Sequence, residues 1–135
     1  MNYSPLNNEI KSILRYPGGK SKALKYILPH IPKDFSEYRE PFFGGGSIFL
    51  AVKQRVPRNR LFRVNDLNPQ LISFWKDLLK DPISFKNDVI AVKNEYPDGK
   101  ALFAKLSKNL NLSETENKVR YFILNRISFS GLVEA

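Results

Sequence analysis

Three consecutive glycines, Gly44, Gly45 and Gly46, interrupt two apolar stretches, and this interruption constrains the fold more than any other feature of the chain. Residues 38–43 before it are apolar enough for a short buried strand. After it, Ile48, Phe49, Leu50, Ala51 and Val52 continue through Gln54 as a helix suited to packing on a sheet, and residues 61–64 supply a second strand that ends at Asn65 and Asp66. Strand, glycine turn, helix, strand and acid in this order make a nucleotide-binding βαβ unit. The glycines let backbone approach a ligand closely, the helix start presents unpaired N–H groups, and the acid accepts hydrogen bonds from ribose hydroxyls. Asp66 lies 20 residues beyond Gly46, the spacing this geometry calls for. Taken alone the glycines also suit a flexible loop and Asp66 a turn; the acid at ribose distance favours the binding unit.

The position three beyond Gly46 is Phe49, too large for the close helix–strand packing of a pyrophosphate-binding turn, which disfavours NAD and FAD. A second turn, Gly19-Lys20-Ser21, has the tail of a phosphate-binding loop, yet Leu14 stands where its leading glycine belongs, which disfavours a P-loop nucleotide hydrolase. What remains is a ligand with an adenosine and no phosphate, and S-adenosylmethionine meets that description.

The other elements follow from caps and prolines. A helix is expected over residues 21–28, stopped by Pro29 and Pro32. Asn68-Pro69 opens the clearest helix, with Leu71, Phe74, Trp75, Leu78 and Leu79 on one apolar stripe. Asp81-Pro82 repeats the signal for a helix that ends near Tyr96 to Gly99, and Ser113 with Glu116 forms a capping box for a third helix carrying Val119, Phe122, Ile123 and Ile127. With 135 residues and no cysteine, the chain has the size of one domain, no disulfide and no thiolate metal site. The sole histidine, His30, lies between Pro29 and Ile31, where a structural role is expected, so no metal site is expected either. No apolar run approaches the ~20 residues of a membrane span and residues 1–10 lack the pattern of a signal peptide, so a cytoplasmic protein without a membrane partner is expected. The net charge of +9 is clustered: Lys53, Arg55, Arg58, Arg60 and Arg63 form one group, and Arg15, Lys20, Lys22 and Lys25 surround the first glycine turn. Such clusters beside loops favour phosphate binding over a merely solvated face.

Four segments carry a resemblance: Arg15-Tyr16-Pro17-Gly18-Gly19-Lys20, Glu40-Pro41-Phe42-Phe43-Gly44-Gly45-Gly46-Ser47, Asn65-Asp66-Leu67-Asn68-Pro69, and Leu124-Asn125-Arg126-Ile127-Ser128-Phe129-Ser130-Gly131-Leu132. In this order they resemble successive motifs of the Dam-type DNA adenine-N6 methyltransferases, known from restriction-modification among other settings. The resemblance implies that Tyr16, Gly18, Gly19 and Lys20 line the methionine end of the cofactor pocket, with Lys20 placed for the carboxylate or the DNA. It further implies that Pro41, Phe42, Gly44, Gly46 and Ser47 form the floor, that Asp66 holds the ribose, and that Asn125, Arg126 and Phe129 face DNA. From the residues alone, Arg126 equally suits a surface cation and Phe129 a core position at a helix end.

Two departures qualify this. The family's Asp-Pro-Pro-Tyr tetrapeptide, which holds the target adenine, does not occur; Asn68-Pro69-Gln70 lacks its second proline and its aromatic. Glu134 stands where some members place a base-reading arginine. The expectation is a three-layer α/β, Rossmann-like fold, present in part, with an S-adenosylmethionine-binding portion over residues 1–69 and the start of a helical DNA-recognition subdomain over 70–135. Functionally the resemblance implies the cofactor part of an enzyme that methylates adenine N6 in double-stranded DNA, with no catalytic residue expected in this chain, no activity expected of it alone, and a missing C-terminal part of the same enzyme expected as its partner. The alternative is a non-catalytic basic nucleic-acid-binding module derived from such an enzyme.

Overall fold

Strand β1 (Glu37–Glu40) runs parallel to β2 (Leu61–Val64) in the computed structural model, which describes residues 6–131 and 133. The register sets Tyr38 against Phe62 and Glu40 against Val64, so alternation along each strand puts these four on one face. Helices α1 (Leu24–Ile27) and α2 (Ser47–Lys53) belong to that face: Leu28, Ile48, Ala51 and Val52 form a buried cluster against which Leu24, Ile27, Tyr38 and Phe62 pack. Phe49 stands edge-on to both Phe43 and Phe62, with ring centroids 5.4 Å apart in each pair.

The opposite face of the sheet carries Glu37, Arg39, Leu61 and Arg63. Glu37 Oε1 lies 2.7 Å from Arg39 Nε and 2.8 Å from Arg63 Nε, and the two arginine side chains are 74% and 66% exposed. A parallel sheet covered by helices on both sides reads apolar on both; this one is apolar on one. The fold is α/β; the sheet has two strands among the described residues, and within its own unit helices pack on one of its faces.

The single helix expected over residues 21–28 is divided. A 3₁₀ turn (Lys20–Ala23), α1 and a second 3₁₀ turn (Leu28–His30) follow one another; at the second, Pro29 has no N–H to continue the α-helical ladder.

The chain divides into two compact units, one up to Leu67 and one from Asn68 onward. The second is helical: α3 (Pro69–Lys80), α4 (Pro82–Glu95), α5 (Gly99–Lys108) and α6 (Glu114–Ile127), with α6 packed on the other three. Asn68 Oδ1 accepts from the amides of Gln70 and Leu71, and Asp81, Asp98 and Ser113 cap the next three helices through their side chains. Phe74 and Phe122 stack with planes 7° apart, and Phe85 meets Phe74 edge-on at 5.6 Å. Of the expected α3 stripe, Leu71, Phe74 and Trp75 are buried, whereas Leu79 is 58% exposed in the last turn before Asp81 ends the helix. Sequence reading missed α5; its signal was the cap at Asp98 with Leu102 and Leu106 four residues apart, both buried.

Candidate functional site

The glycine turn leaves β1 at its C-terminal end, the side on which parallel α/β sheets hold ligands. Gly44 (φ +53°) and Gly46 (φ +72°) adopt left-handed backbone that side chains disfavour, and Gly46 N–H closes the turn on Phe43 O at 3.0 Å. Asp66, at the end of β2, reaches across: its Oδ2 accepts from Gly44 N–H at 2.8 Å. The acid twenty residues beyond the turn is thus fastened to it.

The first glycine turn closes on the same place. Tyr16 lies against the backbone of the second turn, since a Cβ built on Gly44 would sit 2.9 Å from Tyr16 Cε1 and one on Gly45 would sit 2.9 Å from Tyr16 Cβ. Burial first, and then the Asp66 carboxylate, push the Tyr16 phenol above its ordinary value. Lys20 Nζ donates to Phe42 O at 2.7 Å and lies 3.8 Å from Glu40 Oε1. The two turns enclose a cavity of about 270 Å³. Among the residues expected from sequence, Tyr16, Gly18, Gly19, Lys20, Phe42, Gly44, Ser47 and Asp66 line it, while Pro41 is exposed beside it and Gly46 is buried beneath as the N-cap of α2. Gly45 of the same turn lines it too, and so do Glu40, Phe43 and Ile48, which were not expected from sequence. A second cavity of about 870 Å³ shares Tyr16, Gly18, Gly19, Gly45 and Ser47 with the first.

Glu40 is the least ordinary of these residues. Its side chain is 8% exposed, its Oε2 accepts from the Tyr38 hydroxyl at 2.9 Å, and its Oε1 has no hydrogen bond. Burial pushes the Glu40 carboxyl above its ordinary value, against the opposing pull of Tyr38, Lys20 and the Phe49 amide.

The family model of the D12 class N6 adenine-specific DNA methyltransferases matches residues 16–135, nearly the whole chain. The chain belongs to that family. It is similar to a type II methyltransferase, M.MjaIII, of Methanocaldococcus jannaschii (27% identity, covering 92% of this chain and 48% of the relative). It is also similar to the DNA adenine methylase of Vibrio cholerae (27%, covering 90% and 43%) and to the DNA N-6-adenine-methyltransferase of Escherichia phage P1 (29%, covering 90% and 16%). The chain spans about half the length of the first two of these relatives.

Asn68, the nearest counterpart to the tetrapeptide's acid, has its side chain committed to capping α3. Asn125 is 1% exposed and its Nδ2 donates to Gly131 O at 2.9 Å, which fastens the turn after α6. Arg126 is exposed in the last turn of α6, and Phe129 is 90% exposed, which is not a core position. Glu134 and Leu132 lie outside the described residues. The basic run from Lys53 to Arg63 is largely committed within its own unit: Arg55 pairs with Glu9 with both side chains nearly buried, Arg60 pairs with Asp34, Arg63 with Glu37, and Lys53 lies over the Phe62 ring. No described helix is long and apolar enough to cross a membrane.

Proposed function

We propose that this chain is the cofactor-binding part of a DNA adenine-N6 methyltransferase of Rossmann-like fold, acting on double-stranded DNA, with S-adenosylmethionine held in the cavity between the two glycine turns. The observation that carries this reading is the joining of Asp66 to Gly44 across β1 and β2, which leaves a ribose-binding carboxylate beside a backbone stripped of side chains. The residues suit the cofactor chemically: an acid for the ribose diol, a lysine and a buried glutamate for a zwitterion, and no triphosphate loop. When bound, the cofactor supplies an electrophilic methyl on a sulfonium.

The chain's own residues bind and orient. Gly44 and Gly46 keep the floor thin, Tyr16 covers it, Lys20 bridges the two turns, and Asp66 holds both the turn and the sugar. Arg126 and Phe129, exposed on the helical unit, are the proposed DNA contacts, with Lys20 beside the pocket. Direct methyl displacement depends on the orientation of its two reactants, and the absence of an Asp-Pro-Pro-Tyr segment from the sequence assigns the adenine side of the reaction to other residues.

Calorimetry of the chain with S-adenosylmethionine, NAD and ATP tests the reading. S-adenosylmethionine binds in preference to the other two. Asp66→Ala weakens it by about 1.5–3 kcal/mol, the range for a hydrogen bond to a charged group, whereas Asp66→Asn, which still accepts from Gly44, loses less. Equal or absent binding of all three ligands would defeat the proposal and favour a bare nucleic-acid-binding module.

A further inference from the structure

Resting on the cofactor reading above, we infer that Gln54 and Arg55, at the end of α2 away from the glycine turn, are positioning residues. They strap residues 9–16 to the helix and so hold Tyr16 over the cofactor pocket. Tyr16 belongs to a segment that has no helix or strand from residue 9 to residue 16. No backbone ladder fixes such a segment, and the conformational entropy lost in ordering it has to be offset by side chains from elsewhere.

Gln54 holds the backbone of Ile10 by both of its groups: Oε1 accepts from the Ile10 N–H at 2.6 Å and Nε2 donates to Ile10 O at 2.9 Å. A primary amide carries an acceptor and donors together, which this pairing needs. The same Nε2 donates to Leu50 O at 2.7 Å, so the clamp is tied to the helix. Ile10 is 63% exposed, and packing of its own side chain does not fix it. Beside it, Arg55 Nη2 donates to Glu9 Oε1 at 2.7 Å and Nη1 to Ala51 O at 2.8 Å, with the arginine and glutamate side chains 6% and 10% exposed. Further along, the strap lies on the turn: a Cβ built on Gly45 would sit 3.6 Å from Ser12 Oγ and 2.9 Å from Tyr16 Cβ, and Leu14 between them is buried. α2 begins at this turn and ends at Gln54, so one helix holds both ends of the strap. Opening the clamp obliges the segment to be ordered again whenever Tyr16 closes over a ligand, and the apparent affinity falls with the fraction of chains already closed.

Calorimetry with S-adenosylmethionine on the wild type, Gln54→Met, Tyr16→Ala and the double variant tests this. Gln54→Met keeps the length of the side chain, loses both bonds to Ile10 and weakens binding by roughly three- to thirtyfold, the effect of two neutral hydrogen bonds on a closing equilibrium. In the Tyr16→Ala background the same substitution changes affinity by less than about twofold, because the strap then has no ring to place. Equal losses in both backgrounds would make Gln54 merely structural, and no loss beside an intact Tyr16 would free the ring from the clamp; either result overturns the inference while the cofactor reading stands. Hydrogen exchange of the unliganded chain reads the strap without the cofactor. The Gly19 N–H, bonded to Tyr16 O at 2.9 Å, exchanges faster in Gln54→Met, whereas the Leu50 N–H inside α2 keeps its wild-type rate. Wild-type chain that does not bind S-adenosylmethionine defeats the cofactor reading, and unchanged exchange at Gly19 overturns the strap. Should Gln54→Met fail to fold by circular dichroism, Ile10→Pro removes the N–H that Gln54 Oε1 accepts and leaves the residues of α2 unaltered, with the same pattern expected.

Discussion

Gly44→Ala tests whether the two glycine turns act as one assembly. The substitution has two separable costs. The first is conformational: Gly44 has φ +53°, and left-handed backbone costs a residue with a Cβ about 1–2 kcal/mol. The second is steric. The new Cβ lies 2.9, 3.2 and 3.4 Å from Tyr16 Cε1, Cδ1 and Cζ, against a carbon–carbon optimum of about 3.5–4.0 Å, so the ring must withdraw by several tenths of an ångström. Crowding of this kind costs about 1–3 kcal/mol. The Gly44 N–H to Asp66 bond survives, because alanine keeps the amide. Gly44→Ala therefore destabilises the first unit by roughly 2–5 kcal/mol. In a Tyr16→Ala background only the backbone cost of about 1–2 kcal/mol remains. The assay is native-state hydrogen exchange of the α2 amides in a double-mutant cycle, with Leu50 N–H, bonded to Gly46 O at 3.0 Å, as one reporter. The sole tryptophan, Trp75, lies in α3 and reports the other unit, so its fluorescence serves as the control. An identical cost in both backgrounds would refute the claim that Tyr16 closes over the turn.

Two further outcomes concern stability. Glu116 is held below its ordinary carboxylate value, first by the Ser113 N–H and also by the Tyr96 hydroxyl, so the stability it contributes is complete above its ordinary value of 4.5 and is lost as pH falls through its lower folded value. Urea unfolding followed by Trp75 should show that acid loss in the wild type and a flattened one in Glu116→Gln; equal slopes would contradict the assignment. Arg55→Met leaves Glu9 nearly buried without its partner at 2.7 Å and destabilises the first unit by about 3–5 kcal/mol, while adding Glu9→Gln recovers part of this, as hydrogen exchange at α2 would report.

The amino-acid sequence alone determined the features whose causes are local. Asn68-Pro69, Asp81-Pro82 and the Ser113–Glu116 box placed three helix starts, because a cap and the amides it satisfies lie within three residues of each other. The βαβ order and the position of Asp66 were legible because they are spacings along the chain. Where a local signal was weak, as at Asp98 before α5, the element was missed.

Tertiary structure decided what depends on partners distant in sequence. Arg55 faces Glu9 and Arg63 faces Glu37, partners that the clustering of charge along the chain does not reveal. Asn125 sits in a recognition-like segment, yet burial against Gly131 commits its amide to the backbone. Glu40 read as an ordinary strand residue; only the convergence of Tyr38, Lys20 and the glycine turn buries its carboxylate and leaves one oxygen undonated. Spacing conveys backbone geometry because chain connectivity enforces it, whereas the partner and the solvation of a charge are set by which surfaces meet once the chain has folded.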